Sequence, residues 1–218
     1  MWNVSNHFLR TERYTRFADW RFVFAARLGC VSLNGYRRWL EQQSASDKQC
    51  RKTNCSEVET LPHVLNHCKV HWRAIRLRHD AIQNRLVAAI PETAGVTIQT
   101  DKTVPGTPSW LVAPGGNRLR PDIVITDTAR KKMKIVDVAV AFENRYEALE
   151  NARAEKIRKY IPIADYFRGK GWDVELDAIV VGSLGGWDPV NEPVLKFMRI
   201  NSNYARTMRK LIVSDTIR

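Results

Sequence analysis

Two groups of residues in this 218-residue chain have types and spacings that could do chemistry. The first lies in 120–160. Asp122 follows Pro121 and opens an apolar run at 123–126; Asp137 interrupts a second run, 135–142, that is otherwise almost wholly aliphatic. A carboxylate inside a buried strand is costly unless it has a partner, and a divalent cation is a common one. Lys156 and Lys159 follow in a charged helical stretch, three residues apart and hence able to share a face. Such a set reads as a two-carboxylate metal site beside a cationic helix. Glu155 is a possible third acid, though its character is that of a surface charge.

The second group is Cys50, Cys55, His63 and Cys68, spaced C-x4-C-x7-H-x4-C, with His67 as a rival to His63. Three cysteines and a histidine this close supply the four N/S donors that Zn2+ takes tetrahedrally. Cysteines gathered in this way indicate metal binding and a reducing compartment in preference to disulfides. Buried thiols without metal would be the plainer alternative.

Hydrophobic periodicity supplies the elements that must position both groups. The two apolar runs around the acids, joined by the polar stretch 127–134, form a hairpin signal. Residues 69–90 repeat apolar side chains at helical spacing, with Trp72, Ile75, Ile82, Leu86 and Ala89 inward, until Pro91 stops them. His79-Asp80 lies within that helix, and the lone histidine is read as a surface or satisfied residue outside the site. A strand is expected at 96–99, a loop at 105–117 with a short strand near 110–112, and a helix at 146–161. Pro162 either kinks that helix or starts a second segment. A strand at 173–182 and one long helix over 194–213 complete the order. The fold class is therefore α/β, a mixed sheet covered by helices on both faces. Upstream, 6–28 reads as an amphipathic helix whose aromatic stripe is core or interface in preference to a base-stacking platform. A short helix follows at 36–43 and a polar linker at 44–48.

Lysine and arginine outnumber acids 35 to 23, for a net charge of +12 and a pI near 9.8. The excess is spread along the chain, so a folded basic surface facing a polyanion is expected. Arginines break every apolar run near the start, so no signal peptide is read, and no run suits a membrane span. An intracellular, soluble protein with no membrane partner is the expectation.

RPD at 120–122, the second acid at Asp137 and the lysines of EKIRKY (155–160) resemble the layout of a PD-(D/E)xK nuclease. With the knuckle and its ETLPHVLNHC (59–68) before them, these blocks resemble the C-terminal region of site-specific non-LTR retrotransposon polyproteins carrying a restriction-like endonuclease, such as the ribosomal-DNA-inserting elements of arthropods. The resemblance covers about 50–160. It implies a helical linker (1–46), a CCHC zinc knuckle (47–70) and a restriction-like endonuclease domain (71–218). It also implies a Mg2+-dependent endonuclease that nicks target DNA for target-primed reverse transcription. Asp122 and Asp137 would hold the metal, and Lys156 and Lys159 would be catalytic. In the usual motif the lysine lies two residues after the second acid, where this chain has Ala139. Zn2+ would be structural. Target DNA, element RNA and the upstream reverse-transcriptase region of the same polyprotein would be the partners, and the nucleus the location. No Y-x-D-D occurs, so the polymerase centre lies outside this chain, which reads as a piece of something longer. The rival reading is a nucleic-acid-binding module whose knuckle and basic helices bind while the nuclease fold is a relic.

Overall fold

The structure is a computed structural model that describes residues 6–9, 13–36, 48–145 and 147–217. Much of the expected short helix at 36–43 and of the linker after it lies outside the described residues.

The expected hairpin forms β2 (Ile123–Asp127) and β3 (Lys132–Ala141). Its turn is tighter than the polar run suggested. Asp127 pairs with Lys132, and the Arg130 N–H donates to Asp127 Oδ1 at 3.0 Å. Lys131 adopts a positive φ of 51° to close it. β1 (Val96–Thr100) adds to β2 antiparallel, and β4 (Asp173–Gly182) adds to β3 parallel, giving the order β1-β2-β3-β4. The short strand expected near 110–112 is reduced to one bridge between Val112 and Arg118.

This mixed sheet is covered on both faces, which explains why β3 is apolar at nearly every position. Ile123, Ile125, Val136, Val138, Ile179 and Val181 face α2 (Trp72–Ala89), α4 (Asn191–Phe197) and α5 (Ser202–Ile217). The alternate residues Val124, Met133 and Ile135 face α3 (Glu147–Gly169), meeting Tyr160, Ile163, Ala164 and Phe167. By the period of two along a strand, Asp137 and Ala139 fall on the α3 side.

Two expectations need correction, and one alternative is decided. The last helix is two: α4 ends at Phe197, Arg199 takes a φ of 60°, and α5 starts afresh. Asn201 Oδ1 accepts the N–H groups of Asn203 and Tyr204 at 2.9 and 3.3 Å, an N-cap in an Asn-Ser-Asn stretch. Of the two readings of Pro162, a second segment is excluded: α3 continues through it as one helix, because Tyr160, Ile163, Ala164 and Phe167 bury enough apolar surface around it to offset a missing N–H and a ring clash of about 3 kcal/mol. Trp72, expected inward, is 63% exposed at the mouth of α2.

The N-terminal helix is shorter than expected, α1 (Phe17–Arg27). Its aromatic stripe divides. Phe8, before the helix, is fully buried with Val23, Ala26, Leu61, Leu184 and Val213. Phe17, Trp20 and Phe24 instead stack on one another, and Phe17 is 72% exposed.

One buried ion network fixes α3 to the sheet. Arg153 Nε and Nη2 reach Asp188 Oδ2 at 3.0 and 2.9 Å, Nη2 donates to Asn191 Oδ1 at 2.6 Å, and Nη1 donates to Asp177 and to the Ala178 carbonyl. Removing one side of such a network strands the other charges in the interior. Arg153→Met should cost about 3–5 kcal/mol of unfolding free energy, read from urea denaturation; a change under about 1 kcal/mol would show that the network does not hold α3 in place.

Candidate metal and nucleic-acid site

The carboxylates come together because β2 and β3 are paired neighbours. Asp122 stands immediately before β2, and Asp137 lies one residue past Val136, the last partner of β2. The Asp122 N–H donates to Asp137 Oδ1 at 3.1 Å, and the Val138 N–H donates to Asp122 Oδ2 at 2.6 Å, so each acid grips the other's strand. Asp137 is 1% exposed and Asp122 is also buried.

Helix α3 brings the cation. Lys156 Nζ lies 2.5 Å from Asp137 Oδ2, an ion contact whose angles leave that oxygen without a well-directed hydrogen bond. Ala139 makes this approach possible: it is small, buried beside Leu149, Ala178 and Val180, and leaves the face of β3 clear. Lys159, one turn on, is exposed and rests over the Tyr160 ring at 4.7 Å. The structure thus joins Lys156 to the acids and leaves Lys159 on the outer face. Glu155 is exposed on the rim.

Helix α2 contributes what the sequence reading left out. His79 Nε2 sits 3.0 Å from Asp122 Oδ2, with Nδ1 3.3 Å from Asp80 Oδ1. Gln83 Nε2 donates to the Asp122 carbonyl at 2.8 Å, and Tyr160 Oη of α3 donates to the Arg120 carbonyl at 2.8 Å. The segment 120–122 is therefore held from both helices. His79 was legible after all: Ile75, His79, Ile82 and Leu86 form a single 4-3-4 stripe, and the inward setting of its neighbours fixes its own. For Gln83 and Tyr160 no comparable signal exists, since the groups they bond, the Asp122 and Arg120 carbonyls and the Asp101 carboxylate, are distant in sequence.

The electrostatics follow from burial and neighbours. Burial and then repulsion from Asp122 hold the Asp137 carboxyl above the usual range, against the pull of Lys156 and Lys159. Burial also opposes ionisation of Asp122, but His79, the Val138 N–H and Lys156 outweigh it and hold that carboxyl low. The same contacts, working against burial, raise both His79 and Lys156. Among the described residues Asp122 Oδ1 accepts no hydrogen bond, while Asp137 is engaged through Oδ1 by the Asp122 N–H and through Oδ2 by the Lys156 ammonium. Two close carboxylates, one with a free oxygen and one held by a lysine that a cation could displace, are a donor set that fits a hard divalent cation.

The site opens into a cleft of about 430 Å³. Its floor is the part of β3 after Val136, which has β4 on one side and, among the described residues, no strand partner on the other. One wall is α3, with Ala148, Ala152, Glu155 and Lys156; the other comprises Asn66, His67, Ile75, Arg78 and His79. Asn66 Nδ2 donates to the Val140 carbonyl at 2.8 Å and covers the open strand edge.

That second wall begins in the cysteine-rich turn. Ligand atoms of Cys50, Cys55, His63 and Cys68 all lie within 4.8 Å of one another, with Cys55 Sγ 3.3 Å from His63 Nε2 and 3.9 Å from Cys68 Sγ. Of the two rival histidines, His63 belongs to this cluster; His67 is exposed and lines the cleft. The Cys50 N–H pairs with the Glu57 carbonyl at 2.8 Å, Asn54 turns the chain with a φ of 68°, and the Cys68 N–H closes on the His63 carbonyl at 2.7 Å. Glu59 seats the turn, accepting from Arg51 Nε at 2.7 Å and from the Asn34 N–H at 2.8 Å. Gly35 is required there, since a Cβ would fall 2.8 Å from the Glu59 carbonyl oxygen. The donor set and its convergence fit Zn2+.

The chain thus combines a mixed α/β sheet, an acid pair whose partners His79 and Lys156 line a cleft, and a Cys3His cluster adjoining the cleft wall. No protein-family model matches it. Among curated proteins it is similar to a retrovirus-related Pol polyprotein from the type-1 retrotransposable element R2 of Popillia japonica, with 29% identity over 164 residues. The match covers 72% of this chain and 31% of that polyprotein, so the chain spans about a third of its relative. Among solved structures, an N-terminal domain of a reptarenavirus L protein aligns over 89% of this chain and 94% of that one, with a TM-score of 0.36 and 16% identity. That likeness is too distant to carry an argument. No described helix is long and apolar enough to cross a membrane.

The cluster makes a direct prediction. Purified under reducing conditions, the protein should contain about one zinc ion per chain, and His63→Ala should lose it while His67→Ala keeps it. Metal analysis showing the reverse pattern, or no zinc in the unaltered protein, would contradict the assignment.

Proposed function

We propose that this chain is a Mg2+-dependent DNA endonuclease that nicks target DNA for retrotransposon insertion, working as the C-terminal part of a longer reverse transcriptase polyprotein. The observation that carries this reading is the meeting of Asp122, Asp137 and Lys156 at one end of an open cleft, two buried acids and one cation. The similarity to the R2 polyprotein supports the biological setting. In this reading 71–218 is the nuclease unit, and 47–70 is a zinc-bound turn that builds one wall of its cleft, preceded by the helical segment 1–46. Target DNA is the substrate, with element RNA and the upstream polymerase as partners and the nucleus as the place of action.

Asp122 and Asp137 would hold the cation, which polarises a phosphoryl oxygen and lowers the pKa of a bound water. The protein's own groups do the rest. His79 and the Val138 N–H fix Asp122 through Oδ2, leaving Oδ1 turned to the site. Lys156 supplies the positive charge that the usual motif takes from position 139, placed where negative charge builds on a pentavalent phosphorus. Lys159, on the outer face, serves as a phosphate contact with a smaller share in the rate. The basic surface draws the strand in.

Asp122→Asn and Asp137→Asn should each lower Mg2+-dependent plasmid nicking at least ~100-fold, with DNA affinity within about twofold of the parent. Lys156→Ala should slow nicking by a comparable factor, and Lys159→Ala should act mainly on affinity. A nucleic-acid-binding relic would bind DNA and show no metal-dependent nicking in any of these proteins, the unaltered one included. Equal nicking by Lys156→Ala and the unaltered protein would remove Lys156 from the mechanism.

A further inference from the structure

The cleft holds a charged group that the hydrolytic chemistry above does not use. Arg78 of α2 is 5% exposed, and its one contact among the described residues is a neutral acceptor: Nη2 donates to the Leu65 carbonyl at 2.8 Å. Its Nε is buried without a partner. Asn66, the next residue after Leu65, also leaves its Oδ1 buried and unpaired while its Nδ2 holds the Val140 carbonyl. Both residues line the cleft together with the exposed ring of His67. Burial with no acid opposing it brings the Arg78 guanidinium down to about 10.

A guanidinium hidden from water without a counter-ion loses several kcal/mol of hydration. The buried arginine that fixes α3, Arg153, has Asp177 and Asp188 against it. Among the described residues Arg78 has no acid against it, and it lines the cleft. The planar fork of an arginine matches two oxygens of a phosphate, and desolvation strengthens that contact. The phosphate source is set by position. Arg78 lines the same cleft as His79, which touches Asp122, and Lys156, which touches Asp137, so an anion at Arg78 lies beside the acid pair. A free anion would need no such continuity; a strand crossing the cleft does.

We propose that Arg78, with Asn66 and His67 beside it, grips a backbone phosphate of the strand being cut, next to the scissile one. The inference rests on the nuclease reading above. It gives the cysteine-rich turn a role in substrate binding: residues 65–67 form the outer part of the grip, and the Cys3His cluster sets their position.

A solely structural Arg78, fastening Leu65 to α2, makes the opposite forecast. Methionine keeps the unbranched stem and has no charge to desolvate, so Arg78→Met would then leave DNA affinity alone. The test uses the full chain and a labelled DNA duplex, without added Mg2+, over a range of salt. Arg78→Met should bind about tenfold more weakly, and the slope of log affinity against log salt should be shallower by about 0.9, the share of one phosphate. Arg78→Lys should restore the slope, and zinc content should stay unchanged. Wild-type affinity and slope in Arg78→Met would overturn the proposal. If that variant fails to fold, His67→Glu, on the exposed wall, takes its place: it should retain zinc and bind at least about tenfold more weakly, and unchanged affinity would be equally fatal. The two levels separate cleanly. An unaltered protein that neither binds nor nicks DNA overturns the nuclease reading, whereas one that nicks while both variants bind normally overturns the phosphate grip alone.

Discussion

Asp137 cannot sit where it does without help. A carboxylate 1% exposed in the middle of a sheet has lost hydration worth several kcal/mol. A second carboxylate, Asp122, is close enough for its N–H to donate to Asp137 Oδ1. Lys156 at close range returns an amount of order 4 kcal/mol to Asp137 in partly screened surroundings, and His79 supports Asp122, yet burial and repulsion from Asp122 still hold the Asp137 carboxyl above its usual range. The pair is therefore held with unsettled charge, a condition that a divalent cation relieves. Much of the surrounding structure serves to keep it so. Gln83 and Tyr160 pin the segment before β2 from opposite helices, His79 fixes Asp122, and Arg153 locks α3 one turn before Lys156.

The cleft follows from the same sheet. β3 outlasts β2 by five residues, and this overhang offers backbone edge that must be covered or used. Asn66 covers it at Val140, which ties the cysteine-rich turn to the acid pair through a single strand. The zinc-type cluster and the acids are thus two supports of one groove, although they lie far apart in sequence. Helix α2 joins them, starting beside Cys68 and reaching Asp122 through His79.

What the sequence revealed divides along the line between local and distant causes. The hairpin was readable because β-branched residues fill both strands, and the acids stood out because their neighbours are aliphatic. The cysteines announced their cluster by spacing alone. Between His63 and His67 spacing could not decide, since both lie within five residues of Cys68; the wide π-type winding of 63–67 turns the first toward the thiols and the second outward. Lys156 and Lys159 looked equivalent because residues three apart share a helix face, yet Tyr160, four on from Lys156, takes the buried position and Lys159 lies over its ring. The break between α4 and α5 was marked by Asn-Ser-Asn and hidden by the apolar periodicity around it. Arg153 and Arg78 resembled any surface arginine, because what buries them comes from other elements.

The central claim is that Asp122 and Asp137 form a divalent cation site with Lys156 beside it. Crystals of the protein soaked in Mn2+ and measured for anomalous scattering test it most directly. The account predicts a manganese peak bonded to oxygens of both aspartates. Manganese absent from that position while Asp122 and Asp137 remain ordered, with Lys156 still closing on Asp137, would contradict it.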